Sequence, residues 1–149
     1  IPSFVKHVNA DGSSYQYVIG PRLGRTVSKE QYTFLYDTRR IEVDTTSVGT
    51  MHDPGDRLHR PPFFVRFRSR MVPPEQSFTF WMINIHTDPD EVPEEVDALA
   101  DGTMVSGRQV VRFKTPKISL PSAPVAPTTP ILKSILSSQA LRLFSIRCP

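Results

Sequence analysis

Three side chains stand where chemistry is commonly done: Glu30 in "SKEQY", Arg60 in "LHRPPFF" and His86 in "INIHT". His86 ends a strand pattern that is apolar on both faces and precedes the turn Thr87-Asp88-Pro89-Asp90, which places it at a sheet edge, where sites gather. An imidazole titrates near neutrality, so it can give a proton to a leaving oxygen or hold an anionic one. On pattern alone, a His in this place is more often a hydrogen-bonded structural residue. Glu30 mirrors it, a polar group at the entrance of a buried strand, and a lone acid there is most often simply solvated. Paired, the two say more: Glu30 accepting a hydrogen bond from His86 would fix its tautomer and stabilise its cation. That pairing predicts a contact of roughly 3 Å and places "QYTFLYD" and "FTFWMINIH" in one sheet.

Arg60 sits in a Pro-stiffened loop just before a strand, and its paired N–H donors could clamp a phosphate. Arg66, Arg68 and Arg70 alternate along "FFVRFRSR" and read as a solvated strand face, with a nucleic-acid backbone contact as the alternative. The carboxylates of "DPDEVPEE" lack the Gly and the ligand spacing of a calcium loop, and read as helix-capping residues.

The elements that must position these residues follow from periodicity. "IPSFVKHV" has helical spacing and ends at the turn signal Asn9-Ala10-Asp11-Gly12. "YQYVIG" reads as a strand and "PRLGRTVSKE" as a polar loop. "QYTFLYD" is apolar or aromatic on both faces, which suits a covered sheet. "IEVDTTSVG" reads as a strand and "HDPGDRLHRPP" as a loop. In "FFVRFRSR", Phe63, Val65 and Phe67 face one way, and the arginines face the other with Phe64. "SFTFWMINIH" is the strongest strand. Pro93 suits a helix first turn, with Glu94 and Glu95 at the positive end of the dipole and Val96 and Leu99 on the apolar face. Strands joined by turns and followed by a helix predict an α/β (α+β) fold with a largely antiparallel sheet.

The 149 residues are enough for one domain with a core. The net charge of +3 hides a division. Residues 1–101 hold all 15 acids against 11 of the 18 Lys and Arg, a balance of −4. Residues 102–149 hold the other seven cations and no acid. The basic character therefore belongs to the tail. Its "SLPSAPVAPTTP" repeats Pro among Ser, Thr and Ala and reads as an extended or poorly ordered linker. "ILKSILSSQALRLFSI" could form a short amphipathic helix with Ile131, Ile135 and Leu136 on one side. One cysteine, Cys148, leaves no internal disulfide and no signal of redox compartment. No run of about 18 apolar residues occurs, so no transmembrane helix is expected. The chain opens on Ile1 without a signal-peptide pattern and reads as beginning inside a larger protein. Oligomeric state leaves no trace in the sequence.

Taken together, "YVIGPRLGRTVSKEQYTFLYD", "HRPPFFVRFRSR" and "FTFWMINIHTDPDEVPEEVDAL" resemble the endonuclease/exonuclease/phosphatase superfamily. Within it they are most similar to the deoxyribonuclease I-like branch in the form found in bacterial proteins. The resemblance covers about residues 1–101. It implies a partial four-layer α/β/β/α sandwich, hydrolysis of nucleic acid or another phosphodiester, and Mg2+ or Ca2+ as cofactor. By the same resemblance Glu30 orients the first catalytic histidine, His86 is that histidine, Arg60 contacts phosphate and Arg25 contacts the DNA backbone. Ser28 replaces an aromatic that helps grip DNA. The family's "N-I-Q" strand and metal-binding "Q-E" would lie before Ile1. Its "G-D-x-N" and final "D-H" would lie downstream, where residues 102–149 contain no Asp, Glu, Asn or His.

The expectation is a partial domain over residues 1–101, metal ligands not present in this chain, and an inactive product. Residues 102–149 read as a poorly ordered basic tail. In a shifted reading frame "KTPKI" can encode Asn-Ala-Glu-Asp and "APTTPI" can encode Ala-Asp-Asp-Thr-His, so the tail also reads as out-of-frame translation. The alternative function is a non-catalytic fragment that binds anions or nucleic acid through the tail and the arginine stripe.

Overall fold

The computed structural model describes residues 1–27, 29–100, 102–106, 109–112 and 141–148, the segments after residue 102 as backbone. Pro2 opens α1 (Pro2–Val8), where a missing N–H costs nothing. The chain then makes a 3-10 turn at Asn9–Asp11 and is released by Gly12, whose φ of 86° is the left-handed conformation that favours glycine. Asn9 fixes the next strand: its side-chain oxygen accepts Tyr15 N–H at 2.7 Å and its Nδ2 donates to the Tyr15 carbonyl at 2.9 Å.

The strands are β1 (Tyr15–Leu23), β2 (Lys29–Asp37), β3 (Ile41–His52), β4 (Phe63–Ser69), β5 (Thr79–Asn84), β6 (Thr103–Ser106), β7 (Gln109–Arg112) and β8 (Leu141–Cys148), with α2 (Val92–Ala100) between β5 and β6. They form two sheets, ordered β1-β2-β8 and β5-β4-β3-β6-β7, and the neighbouring strands run antiparallel. Two antiparallel sheets with helices are the α+β fold expected, and they match part of a deoxyribonuclease I-like sandwich.

The core lies between the sheets. Residues two apart in a strand share a face, so Tyr32, Phe34 and Tyr36 of β2 point together at Phe63, Val65 and Phe67 of β4. Phe34 stacks on Phe63 at 5.5 Å between centroids and meets Phe67 edge-on at 5.6 Å. Gly20 of β1 lies against the same ring, and a Cβ there would come within 3.0 Å of Phe63. A smaller cluster joins α2 to the second sheet through Met51, Leu58, Ala98 and Leu99.

Several expectations need correction. β2 and β5 belong to different sheets, because the aromatic face of β2 packs on β4 by side chains instead of continuing its hydrogen-bond ladder. The polar loop is shorter than its composition implies: Pro21–Leu23 extend β1, and Lys29 and Glu30 already pair in β2. On α2 the buried positions are Glu95 and Ala98, whereas Val96 is half exposed. Segments 103–106, 109–112 and 141–148 of the tail are strands, and β8 pairs with β2 from Lys29↔Cys148 to Tyr36↔Leu141. Ile131, Ile135, Leu136, the Pro-rich stretch and Ser28 lie outside the described residues.

The sandwich predicts where stability resides. Phe34→Ala removes a fully buried ring from between the sheets and should cost about 3–5 kcal/mol in chemical denaturation. Ile19→Ala, at a residue 38% exposed on β1, should cost under ~1 kcal/mol. Equal losses at both sites would rule out this core.

Candidate active site

Glu30 begins the inward face of β2, two residues before Tyr32, so the two-residue period alone puts its carboxylate at the rim of the aromatic core. It is 4% exposed, and a carboxylate that deep must be paired. Its Oε2 lies 2.6 Å from His86 Nδ1, and its Oε1 lies 3.4 Å from Arg60 Nη2. The expected Glu30–His86 contact is therefore present, although it bridges two sheets instead of lying within one.

An ionised carboxylate only accepts, so Nδ1 carries the proton in this pair and Nε2 is the ring nitrogen left for exchange. The His86 side chain is 46% exposed while Glu30 is enclosed, which gives the pair one dry end and one wet end.

Arg60 is nearly as buried as its partner. Its side chain is 10% exposed, and its Nε has no hydrogen-bond partner among the described residues. The loop that carries it is set by Asp53, whose carboxylate accepts Arg57 N–H at 3.1 Å and Leu58 N–H at 2.7 Å. Pro61 and Pro62 then lead into β4.

Tyr32 is the residue that sequence reasoning missed. Its hydroxyl accepts the His86 backbone N–H at 3.0 Å and donates to the Arg60 carbonyl at 3.4 Å. The available signal was its place in "EQY", one strand period after Glu30, but an aromatic there reads as ordinary core. Burial pushes the Tyr32 phenol up to about 12, against the smaller opposing effect of the His86 N–H, so the hydroxyl keeps its proton.

Arg25 is not part of this contact set. It pairs instead with Glu91 at 2.9 Å and Asp56 at 3.6 Å, between the loop after β3 and the start of α2. The arginine stripe is also met by acids. Arg66 Nε bonds Asp44 at 3.0 Å, Arg68 bonds Glu42 at 2.6 Å, and Arg70 lies 3.9 Å from Glu42. Hydrogen bonds from Arg68 hold the Glu42 carboxyl below its ordinary range; Thr46 first, then Arg66, do the same for Asp44. Among the described residues no group of three or more His, Cys, Asp and Glu side chains is arranged to hold a metal ion.

With this geometry in place, similarity to known proteins is informative. The chain is 33% identical over 105 residues to rat deoxyribonuclease gamma, covering 67% of this chain and 33% of the relative. It is 37% identical over 92 residues to human deoxyribonuclease gamma, covering 60% and 29%, and 31% identical over 108 residues to chicken deoxyribonuclease-1, covering 68% and 36%. No family model matches the chain. The chain spans about a third of the length of the curated relatives it matches. Over this stretch the chain is similar to part of the deoxyribonuclease I-like proteins.

Tyr32 gives the site a measurable pH signature. Its folded value lies above the unfolded value of 10.0, so its contribution to stability is fully present below pH 10 and is lost as pH rises through about 12. Tyr32→Phe should flatten the fall in denaturation midpoint across that window, leaving a remainder from Tyr36, which burial also raises. Parallel alkaline limbs for the two proteins would refute this assignment.

Proposed function

We propose that the chain carries part of a phosphodiester-cleaving site of the deoxyribonuclease I type, with DNA as the substrate class, and that the isolated chain does not complete the reaction. The observation that carries the reading is the 2.6 Å contact between buried Glu30 and half-exposed His86, with Arg60 against the same carboxylate. Glu30 holds the imidazole and offsets the charge that forms when Nε2 takes a proton from water or before it gives one to a leaving oxygen. Arg60 brings a guanidinium to the other oxygen of the same carboxylate, a cation that an anionic phosphate ester would engage. Arg25 is assigned to the DNA backbone beyond this group, a role in which it would exchange its Glu91 and Asp56 partners for phosphate.

Support for inactivity in isolation is chemical. Phosphodiester hydrolysis of this kind calls for a metal and a second acid–base group. The contact set holds one imidazole, and no group of three or more His, Cys, Asp and Glu side chains is arranged around it among the described residues. We assign residues 1–101 as a partial domain and residues 102–149 as a basic tail, whose strands β8 and β6 pair onto β2 and β3. The binding-only alternative gains little from Arg66, Arg68 and Arg70, which already face Asp44 and Glu42.

The test is nicking of supercoiled plasmid by the purified 149-residue chain with Mg2+, Mn2+ or Ca2+. No nicking above background is expected. In a longer protein that contains this segment and cleaves DNA, His86→Ala should lower kcat by about 10²–10⁴-fold. Nicking by the short chain that His86→Ala abolishes would show a more complete site than the one proposed.

A further inference from the structure

Two segments carry the partners of Glu30, the loop ending in His59-Arg60 and the turn beginning at His86. Neither is regular structure at these residues. Loops of this kind wander unless something fixes them, and an imidazole must be held closely to act.

Glu95 lies outside the contact set yet reaches both segments. Its Oε1 accepts the His59 N–H at 2.6 Å, and its Oε2 accepts the Asp88 N–H at 2.7 Å. It is 1% exposed, the deepest of the described carboxylates. As the fourth residue of α2 it would ordinarily face water or cap its own first turn. Instead both oxygens leave the helix, one to each segment. A carboxylate buried this way is strongly disfavoured unless hydrogen-bonded, so the two N–H groups are held where they are. His59 adds a weaker link of the same kind, with Nδ1 3.8 Å from Asp88 Oδ2.

Tyr32 makes the matching connection nearby, to the Arg60 carbonyl and the His86 N–H, one residue from His59 and two from Asp88. Two side chains from different elements thus each tie the same two segments, Glu95 at residues 59 and 88 and Tyr32 at residues 60 and 86.

We propose that Glu95 and Tyr32 are positioning residues: a double brace that fixes the spacing of the Arg60 and His86 segments and so holds the imidazole on Glu30. This deepens the functional reading above and rests on it only for the use made of the imidazole.

The brace is testable without cleavage, by NMR of the intact 149-residue chain. Gln at position 95 keeps the shape but has one acceptor, and its NH2 would face an N–H donor. In Glu95→Gln, amide exchange at either His59 or Asp88 should rise about tenfold, the equivalent of one lost hydrogen bond to a charged acceptor. Amides of Val65 and Phe67 in β4 should not change. The positioning signature is the His86 Nδ1 proton, which neither Glu95 nor Tyr32 touches. Its exchange with water should also quicken by about tenfold. Should Glu95→Gln not fold, Tyr32→Phe carries the same test, with faster exchange of the His86 amide and of the Nδ1 proton. Faster amide exchange with an unchanged Nδ1 proton, in whichever variant folds, would overturn the proposal. Unchanged amides would overturn it as well. A chain whose brace passes this test but whose longer form never cuts DNA would sink the nuclease reading alone.

Discussion

The burial of one carboxylate constrains everything around it. Glu30 is 4% exposed at the rim of an aromatic core, and leaving its charge without partners there would cost several kcal/mol. It takes an imidazole on one oxygen and a guanidinium on the other. Those partners come from separate segments of the second sheet, so a single buried charge draws the loop before β4 and the turn after β5 to one point between the sheets. Tyr32 follows Glu30 on the same strand face and ties the backbones of both segments. Packing of β2 on β4 sets the gap across which all of this happens.

The same chemistry has a different meaning on the outer face of the second sheet. Arg66 and Arg68 have side chains 32% and 39% exposed, and their acids are similarly accessible. Ion pairs in that setting contribute roughly 0–1 kcal/mol and are screened by salt. Arg60, at 10%, has lost most of its water and leaves one N–H without a protein partner among the described residues. Depth, more than residue type, separates the arginine that belongs to a site from those that decorate a strand.

Much of this was legible in the sequence, for identifiable reasons. Alternation in "FFVRFRSR" marks Phe63, Val65 and Phe67 as one face because a strand has a period of two. Glu30 and His86 stand out as polar groups at the ends of apolar runs. What periodicity cannot convey is which strands share a sheet, since side-chain packing and ladder pairing both bring residues together. That is why β2 and β5 were expected side by side. Glu95 was hidden for a related reason: an acid in the first turn of a helix satisfies the dipole rule wherever it points. Only the positions of His59 and Asp88 reveal that this one points inward, while Val96 takes the exposed place that hydrophobicity assigned to the core.

The most direct measurement of the Glu30–His86 pair is the tautomer of neutral His86, read from the ¹⁵N shifts of its two ring nitrogens in the intact chain. A carboxylate 2.6 Å from Nδ1 requires the proton to sit on Nδ1, leaving Nε2 bare. The account predicts that tautomer in the wild-type protein and its loss in Glu30→Ala. A proton resident on Nε2 in the wild type, or a tautomer indifferent to Glu30→Ala, would contradict it.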